Sequence, residues 1–215
     1  MLVLALDTCL SACQAALWRD GEVVAAASEP MARGHQERLA PMLQAMLAEA
    51  NVGLDRVDRI AVTVGPGSFT GLRVGLAFAK GLGLALDKPV VGVTSLEALA
   101  ASAPPAGLTL ALIDARRDQA YWQAFADGAP VTEPQASGIA DIVDWLVGTG
   151  PPARLVGPGT GLLAGRFPLA EALARAAPDP VAVARIAATR EPRPPHPLYL
   201  RTPDAKLPGG VDPFA

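Results

Sequence analysis

Val64-Gly65-Pro66-Gly67-Ser68-Phe69-Thr70-Gly71-Leu72-Arg73-Val74-Gly75 is the stretch on which the reading of this chain turns. It joins a strand pattern, Arg59 to Val64, to a helical one that runs from about Thr70 to Leu86. Gly65 to Gly71 is therefore a glycine-rich loop between strand and helix, where the free N–H groups of a helix N-terminus can receive an anion. The residues leave two readings open. One is a phosphate site built from Asp7, Gly65, Gly67, Ser68, Thr70 and Gly71. The other is a tight connection whose glycines permit close backbone packing. Two familiar phosphate loops are excluded. A P-loop ends in Gly-Lys-Ser/Thr, whereas Leu72-Arg73 follows Gly71. A dinucleotide fingerprint needs an acid at the end of the next strand, where this chain has Val93-Thr94.

Upstream, Val3 to Leu6, Ala12 to Trp18 and Glu22 to Ala27 read as three strands, the last two joined by an Asp20-Gly21 turn. Leu39, Met42, Leu43, Met46, Leu47 and Ala50 then mark one face of a helix, with Pro41 placed in its first turn. Downstream, Val90 to Val93 is a strand and a helix begins at Ser95. Three meandering strands followed by alternating helix and strand predict a mixed α/β sheet with packed helices. That order is similar to the repeating unit of the actin/hexokinase/Hsp70-like (ASKHA) fold. Pro104-Pro105-Ala106-Gly107 reads as a hinge. A second hairpin follows, Leu108 to Asp114 and Gln119 to Phe125, then a helix at Ile139 to Val147, a strand at Arg154 to Val156 and a helix at Val181 to Thr189. The expected organisation is two subdomains, 1–103 and 104–197, with a tail, 198–215, returning to the first.

The 215 residues are 51% hydrophobic with a net charge of -3, enough apolar surface to offset chain entropy. The arginines are scattered, which argues against this chain gripping nucleic acid alone. No apolar run reaches the length of a membrane span, and no basic segment precedes the first strand; the expectation is a cytoplasmic protein with no membrane partner. Cys9 and Cys13 read as small buried hydrophobes and cannot make a disulfide framework. His35 and His196 are too far apart in sequence for a close metal motif, and His35 reads as a surface or capping residue. Ser68 lacks the glycines two residues before and after it that a nucleophile elbow requires. Asp7, at the end of the first strand, would either face a metal-bound phosphate or cap the turn after it. The helix after the loop is apolar on every side, with only Arg73 and Lys80 charged, so it is either deeply buried or covered by a partner. Gly71, Gly75, Gly81 and Gly83 would let another element approach it closely, at a cost of ~1 kcal/mol each in helix propensity.

Val64 to Gly75, continued through Ala79-Lys80-Gly81 and Val93-Thr94-Ser95-Leu96-Glu97, resembles the signature of the TsaB (YeaZ) family. Leu6-Asp7-Thr8, His35, Glu37, Leu39 and Pro41 support it, as do Ile113 to Arg117 with Tyr121, and Pro197-Leu198-Tyr199-Leu200-Arg201. The resemblance implies a non-catalytic partner of TsaD, the catalytic relative, in forming threonylcarbamoyladenosine at position 37 of tRNA. Where TsaD-like proteins carry Asn-His-x-x-Gly-His, this chain reads Thr94-Ser95-Leu96-Glu97-Ala98-Leu99. Serine and leucine stand for both metal-binding histidines, which implies a pseudo-enzyme without metal and argues against glycoprotease activity. The resemblance further implies direct binding to TsaD, TsaE and TsaC in the same pathway, self-association, only indirect contact with tRNA, and no cofactor beyond ATP or ADP at the complex interface. The alternative is an ATPase or kinase using Asp7 and the Gly65 to Gly71 loop. The helices Gln36 to Ala50 and Thr70 to Leu86 are the expected partner face, with Leu39, Met42, Leu43, Met46, Leu76, Phe78 and Leu82 as its apolar contacts.

Overall fold

The computed structural model describes residues 1–201. Three strands open the chain: β1 (Leu2–Asp7), β2 (Ala12–Arg19) and β3 (Glu22–Pro30). Asp20 and Gly21 both take positive φ, 47° and 104°, as a tight hairpin between twisted strands requires. Then come α1 (His35–Glu49), β4 (Arg59–Thr63), α2 (Phe69–Leu86), β5 (Val90–Val93) and α3 (Ser95–Ala101). The second half holds β6 (Leu108–Arg116), β7 (Gln119–Ala126), β8 (Ala129–Pro130), β9 (Gln135–Gly138), α4 (Ile139–Thr149), β10 (Arg154–Val156), β11 (Glu171–Leu173) and α5 (Pro180–Thr189).

The first sheet has the order β3-β2-β1-β4-β5, the second β11-β10-β6-β7-β8 with β9 added alongside β7. Read from the other edge, the second becomes β8-β7-β6-β10-β11, which repeats the plan of the first. In both, a central strand pairs antiparallel with the next in sequence and parallel with a later one. The strands that sequence patterning missed, β8, β9 and β11, are two to four residues long. Such segments are too short for a period and are fixed by their neighbours, as β9 is by β7 from Gln119↔Gly138 to Trp122↔Gln135.

Alternation along β1 assigns the helices. Leu2, Leu4 and Leu6 face the layer of α1 and α2, against Leu39, Met42, Leu43, Met46 and Leu76. Val3 and Ala5 face the opposite side, where Val183, Ala184 and Ala187 of α5 and Ala98 of α3 pack. In the second sheet Leu110 and Leu112 meet Ile142 and Leu146 of α4, while Ala111 and Ile113 meet Leu96 and Leu99. The short helix α3 is thus shared by the two sheets. Its N-terminus is closed by a reciprocal capping box between Thr94 and Glu97.

One expectation needs correction here. Residues 180–189 were grouped with the second subdomain, but α5 packs on the first sheet. The small side chains Ala5, Ala61, Val91 and Val93 leave a flat apolar face there that only another helix can cover. Arg59 fixes it from below: its Nη1 donates to the carbonyls of Ala187 at 2.5 Å, Ala188 at 3.3 Å and Arg190 at 2.8 Å. A cation at a helix C-terminus satisfies otherwise orphaned carbonyls. Beyond α5 the chain runs back along the first subdomain, where the Leu198 N–H donates to the Val64 carbonyl at 2.8 Å. Arg201 donates to the Ala115 carbonyl at 2.6 Å; residues 202–215 of the expected tail lie outside the described range.

Candidate functional site

The glycine loop lies against the turn that follows β1. Ser68 donates its N–H to the Cys9 carbonyl at 2.7 Å, and the Thr8 hydroxyl donates to the Gly71 carbonyl at 2.6 Å. A Cβ on Gly67 would run into the Cys9 carbonyl, one on Gly71 into the Thr8 carbonyl, and one on Gly75 into the Thr8 hydroxyl. Gly67 and Gly71 are required because a backbone passes directly over them, and Gly75 because the Thr8 side chain does. The Ser68 hydroxyl caps α2 by accepting the Gly71 N–H at 3.2 Å. The turn then buries Leu10 against Leu96, Leu99, Ala111, Ile113, Phe125 and Val156, closing the space between the subdomains.

Asp7 sits beneath this turn, fully buried. Its Oδ1 accepts from the Thr63 hydroxyl at 2.6 Å and from the Cys9 N–H at 3.0 Å. Gln14 completes the cage: with its amide nitrogen facing acceptors, it donates to Asp7 Oδ2 at 3.2 Å and to the Pro178 carbonyl at 2.8 Å. Burial pushes the Asp7 carboxyl above its ordinary value, against the opposing pull of Thr63, the Cys9 N–H and His35. The Cys9 thiol is pushed up to about 12 by burial and by the charge of Asp7, which makes it an inert packing residue. The structure therefore brings Asp7, Gly65, Gly67, Ser68 and Gly71 together, but around the chain's own Thr8–Leu10. On its other side the loop stays open: Ser68, Thr70 and Gly71 line a hollow of about 380 Å³ together with Gly34 to Glu37.

His35, expected in a surface or capping role, is only 6% exposed, and its Nε2 has no partner among the described residues. Ser95 and Leu99, where the catalytic relatives would have histidines, are fully buried. Neither offers a metal an imidazole, and among the described residues no three His, Cys, Asp or Glu side chains cluster.

The expected apolar contacts on the two helices also need correction. Leu39, Met42, Leu43, Met46 and Leu76 are core residues beneath the helix layer, while Phe78 and Leu82 are half-buried at its edge. An apolar helical face pairs first with the chain's own sheet, which leaves the opposite side of the helix open. On α2 that side is the row Arg73, Ala77, Gly81 and Ala85, spaced four apart and all exposed, with Leu84 beside it 87% exposed. Of the helix's glycines, Gly71 and Gly75 meet Thr8 and Gly83 meets Val90, but a Cβ on Gly81 would meet nothing. The sequence signal for this face was present in the all-round apolarity of α2. Leu10, whose role as a plug depends on the second subdomain, carried no signal.

Two repeated sheets, each opening on a hairpin at whose first strand end an aspartate stands, define the actin/hexokinase-like class. The family profile described as "TsaD: tRNA N6-adenosine threonylcarbamoyltransferase" matches residues 26–156. YeaZ from Pseudomonas aeruginosa superposes with a TM-score of 0.74 at 31% identity, over 93% of this chain and 99% of that one. An uncharacterized protein of Mycobacterium tuberculosis is 38% identical over 207 residues, 95% of this chain and 93% of its own length. The tRNA threonylcarbamoyladenosine biosynthesis protein TsaB of Escherichia coli is 42% identical over 125 residues, 57% of this chain and 54% of that protein. The chain belongs to the TsaB (YeaZ) family.

Proposed function

We propose that this chain is a non-catalytic subunit in tRNA threonylcarbamoyladenosine biosynthesis, which binds the threonylcarbamoyltransferase TsaD and stabilises its active form. The observation that carries the reading is the enclosure of Asp7. Thr8 and Cys9 occupy the glycine side of the loop, and Asp7 spends its lone pairs on Thr63, Cys9 and Gln14. A carboxylate so enclosed is not open to a metal-bound phosphate. The open row Ala77, Gly81 and Ala85 on α2 supports the binding half of the reading: helix glycine is costly where nothing needs its missing side chain. A close-packed partner supplies that need, through the helix approach that small residues at spacing four permit.

Reconstitution tests it. Purified TsaC, TsaD and TsaE are incubated with tRNA, threonine, bicarbonate and ATP, with and without this chain, and the modified nucleoside is measured by mass spectrometry. Product that depends on this chain, and that Asp7→Asn sustains at the wild-type rate, is the expected result. Equal product without the chain contradicts the reading. Product lost specifically in a folded Asp7→Asn protein would favour the nucleotide-enzyme alternative.

A further inference from the structure

The exposed row of α2 ends, toward its N-terminus, in a side-chain cluster that the fold does not need. The Arg73 guanidinium carbon lies 3.6 Å from the centroid of the Phe69 ring and 6.0 Å from that of Tyr199. Arg73 Nε donates to the Tyr199 hydroxyl at 3.1 Å, and the two rings are 5.5 Å apart. Phe69 is 46% exposed and Tyr199 44%. The chain has only 5 Phe, 3 Trp and 2 Tyr, yet it spends two of these on one solvated spot. The returning tail, bonded through Leu198 to Val64, is what delivers Tyr199 there.

An arginine on an open surface samples many rotamers. Here a ring face and a hydroxyl hold the guanidinium plane in place, so much of the ordering cost of a contact has been met in advance. Arg73 forms no ion pair among the described residues, and only its Nε has a hydrogen-bond partner there. The two Nη groups form an unused fork of the shape that grips a carboxylate with two parallel hydrogen bonds. Exposed aromatic and arginine side chains held together are also the composition of interface hot spots.

We propose that Phe69, Arg73 and Tyr199 form the anchor of the α2 partner face, and that they receive an Asp or Glu carboxylate on a helix of the protein docked along Ala77, Gly81 and Ala85. This rests on the reading of the chain as a partner subunit. A protein carboxylate is favoured over an RNA phosphate on two grounds. The rest of the row is small and apolar, which suits a packed helix, and Lys80 is the only other cation of α2. The chain's net charge of -3 opposes the approach of a polyanion.

The test is calorimetric titration of purified threonylcarbamoyltransferase into wild type, Arg73→Glu, Arg73→Lys, Tyr199→Phe and Gly81→Leu, with melting curves for each and tRNA retention measured in parallel. Charge reversal at Arg73 is expected to weaken binding about 30-fold or more, as loss of an interfacial charge pair does. Arg73→Lys should weaken it roughly 5-fold, since an ammonium neither forks nor stacks as well. Tyr199→Phe should produce a smaller loss in the same direction. If Arg73→Glu does not fold, the lysine and phenylalanine variants carry the test. Wild-type affinity in the Arg73 and Tyr199 variants, with binding lost in Gly81→Leu, overturns the anchor and leaves the partner face standing. Wild-type affinity in all of them overturns both. Unchanged protein binding with reduced tRNA retention in Arg73→Glu overturns the carboxylate assignment in favour of RNA.

Discussion

The two sides of α2 carry the same kinds of residue and treat them in opposite ways. On the inner side, Gly71, Gly75 and Gly83 are glycine because Thr8 and Val90 press against them, and Leu72, Leu76 and Ala79 close the gap to the sheet. On the outer side, Gly81 faces nothing and Leu84 stands in solvent. The inner side shows how a glycine-rich loop serves as a packing joint, with the adjoining turn resting on the glycines. The outer side shows a small-residue surface that the fold itself leaves uncovered, which is why the proposed function places a partner there.

The comparison can be broken most forcefully in the core. Leu43→Glu and Leu76→Glu place a charge beneath the helix layer, where each should cost about 4 kcal/mol or more and leave no cooperative melting transition. Leu84→Glu, two turns along the same helix as Leu76, should melt as wild type does. If Leu76→Glu folds normally, the assignment of inner and outer sides is wrong. A smaller but sharper effect is expected at Gly71→Ala, where the added methyl meets the Thr8 backbone and overpacking should cost about 3 kcal/mol in a denaturant titration.

Asp7 sharpens the comparison through pH. Burial holds its native carboxyl above the ordinary value of 3.8, so the native state takes up this proton before the unfolded chain does. The sign follows: ionised Asp7 lowers stability above the native pKa, and that deficit shrinks as pH falls through the native pKa toward 3.8. Measured against Asp7→Asn, wild type should therefore gain in relative melting temperature on acidification. A relative loss would mean that the carboxylate is stabilised by its three partners beyond the cost of burying it. Smallest of all, Gly81→Ala should raise the stability of the isolated chain by about 0.5–1 kcal/mol, because the helix gains propensity and the methyl meets open space.

Much of this was legible in the sequence. The hairpins, the strand–loop–helix joint and the helical face of Leu39, Met42, Leu43 and Met46 all follow from period and turn chemistry, which are local. What failed was whatever depends on a distant partner. Periodicity says that a face is apolar, not whether a sheet or a second protein covers it, so core residues were assigned to an interface. The atoms that make Gly71 necessary belong to Thr8, 63 residues earlier. α5 has an apolar face but no local mark of which sheet it will cover, and Leu10 looks like any turn residue until the second subdomain closes over it.

The most direct test of the central claim is the calorimetric affinity of Gly81→Leu for purified threonylcarbamoyltransferase, beside wild type. Leucine is a good helix former placed in open space, so the isolated protein should fold unimpaired. The account predicts binding weakened about 30-fold or more, because a side chain now fills the groove a partner helix needs. Affinity within twofold of wild type would contradict it and leave the outer side of α2 without a function.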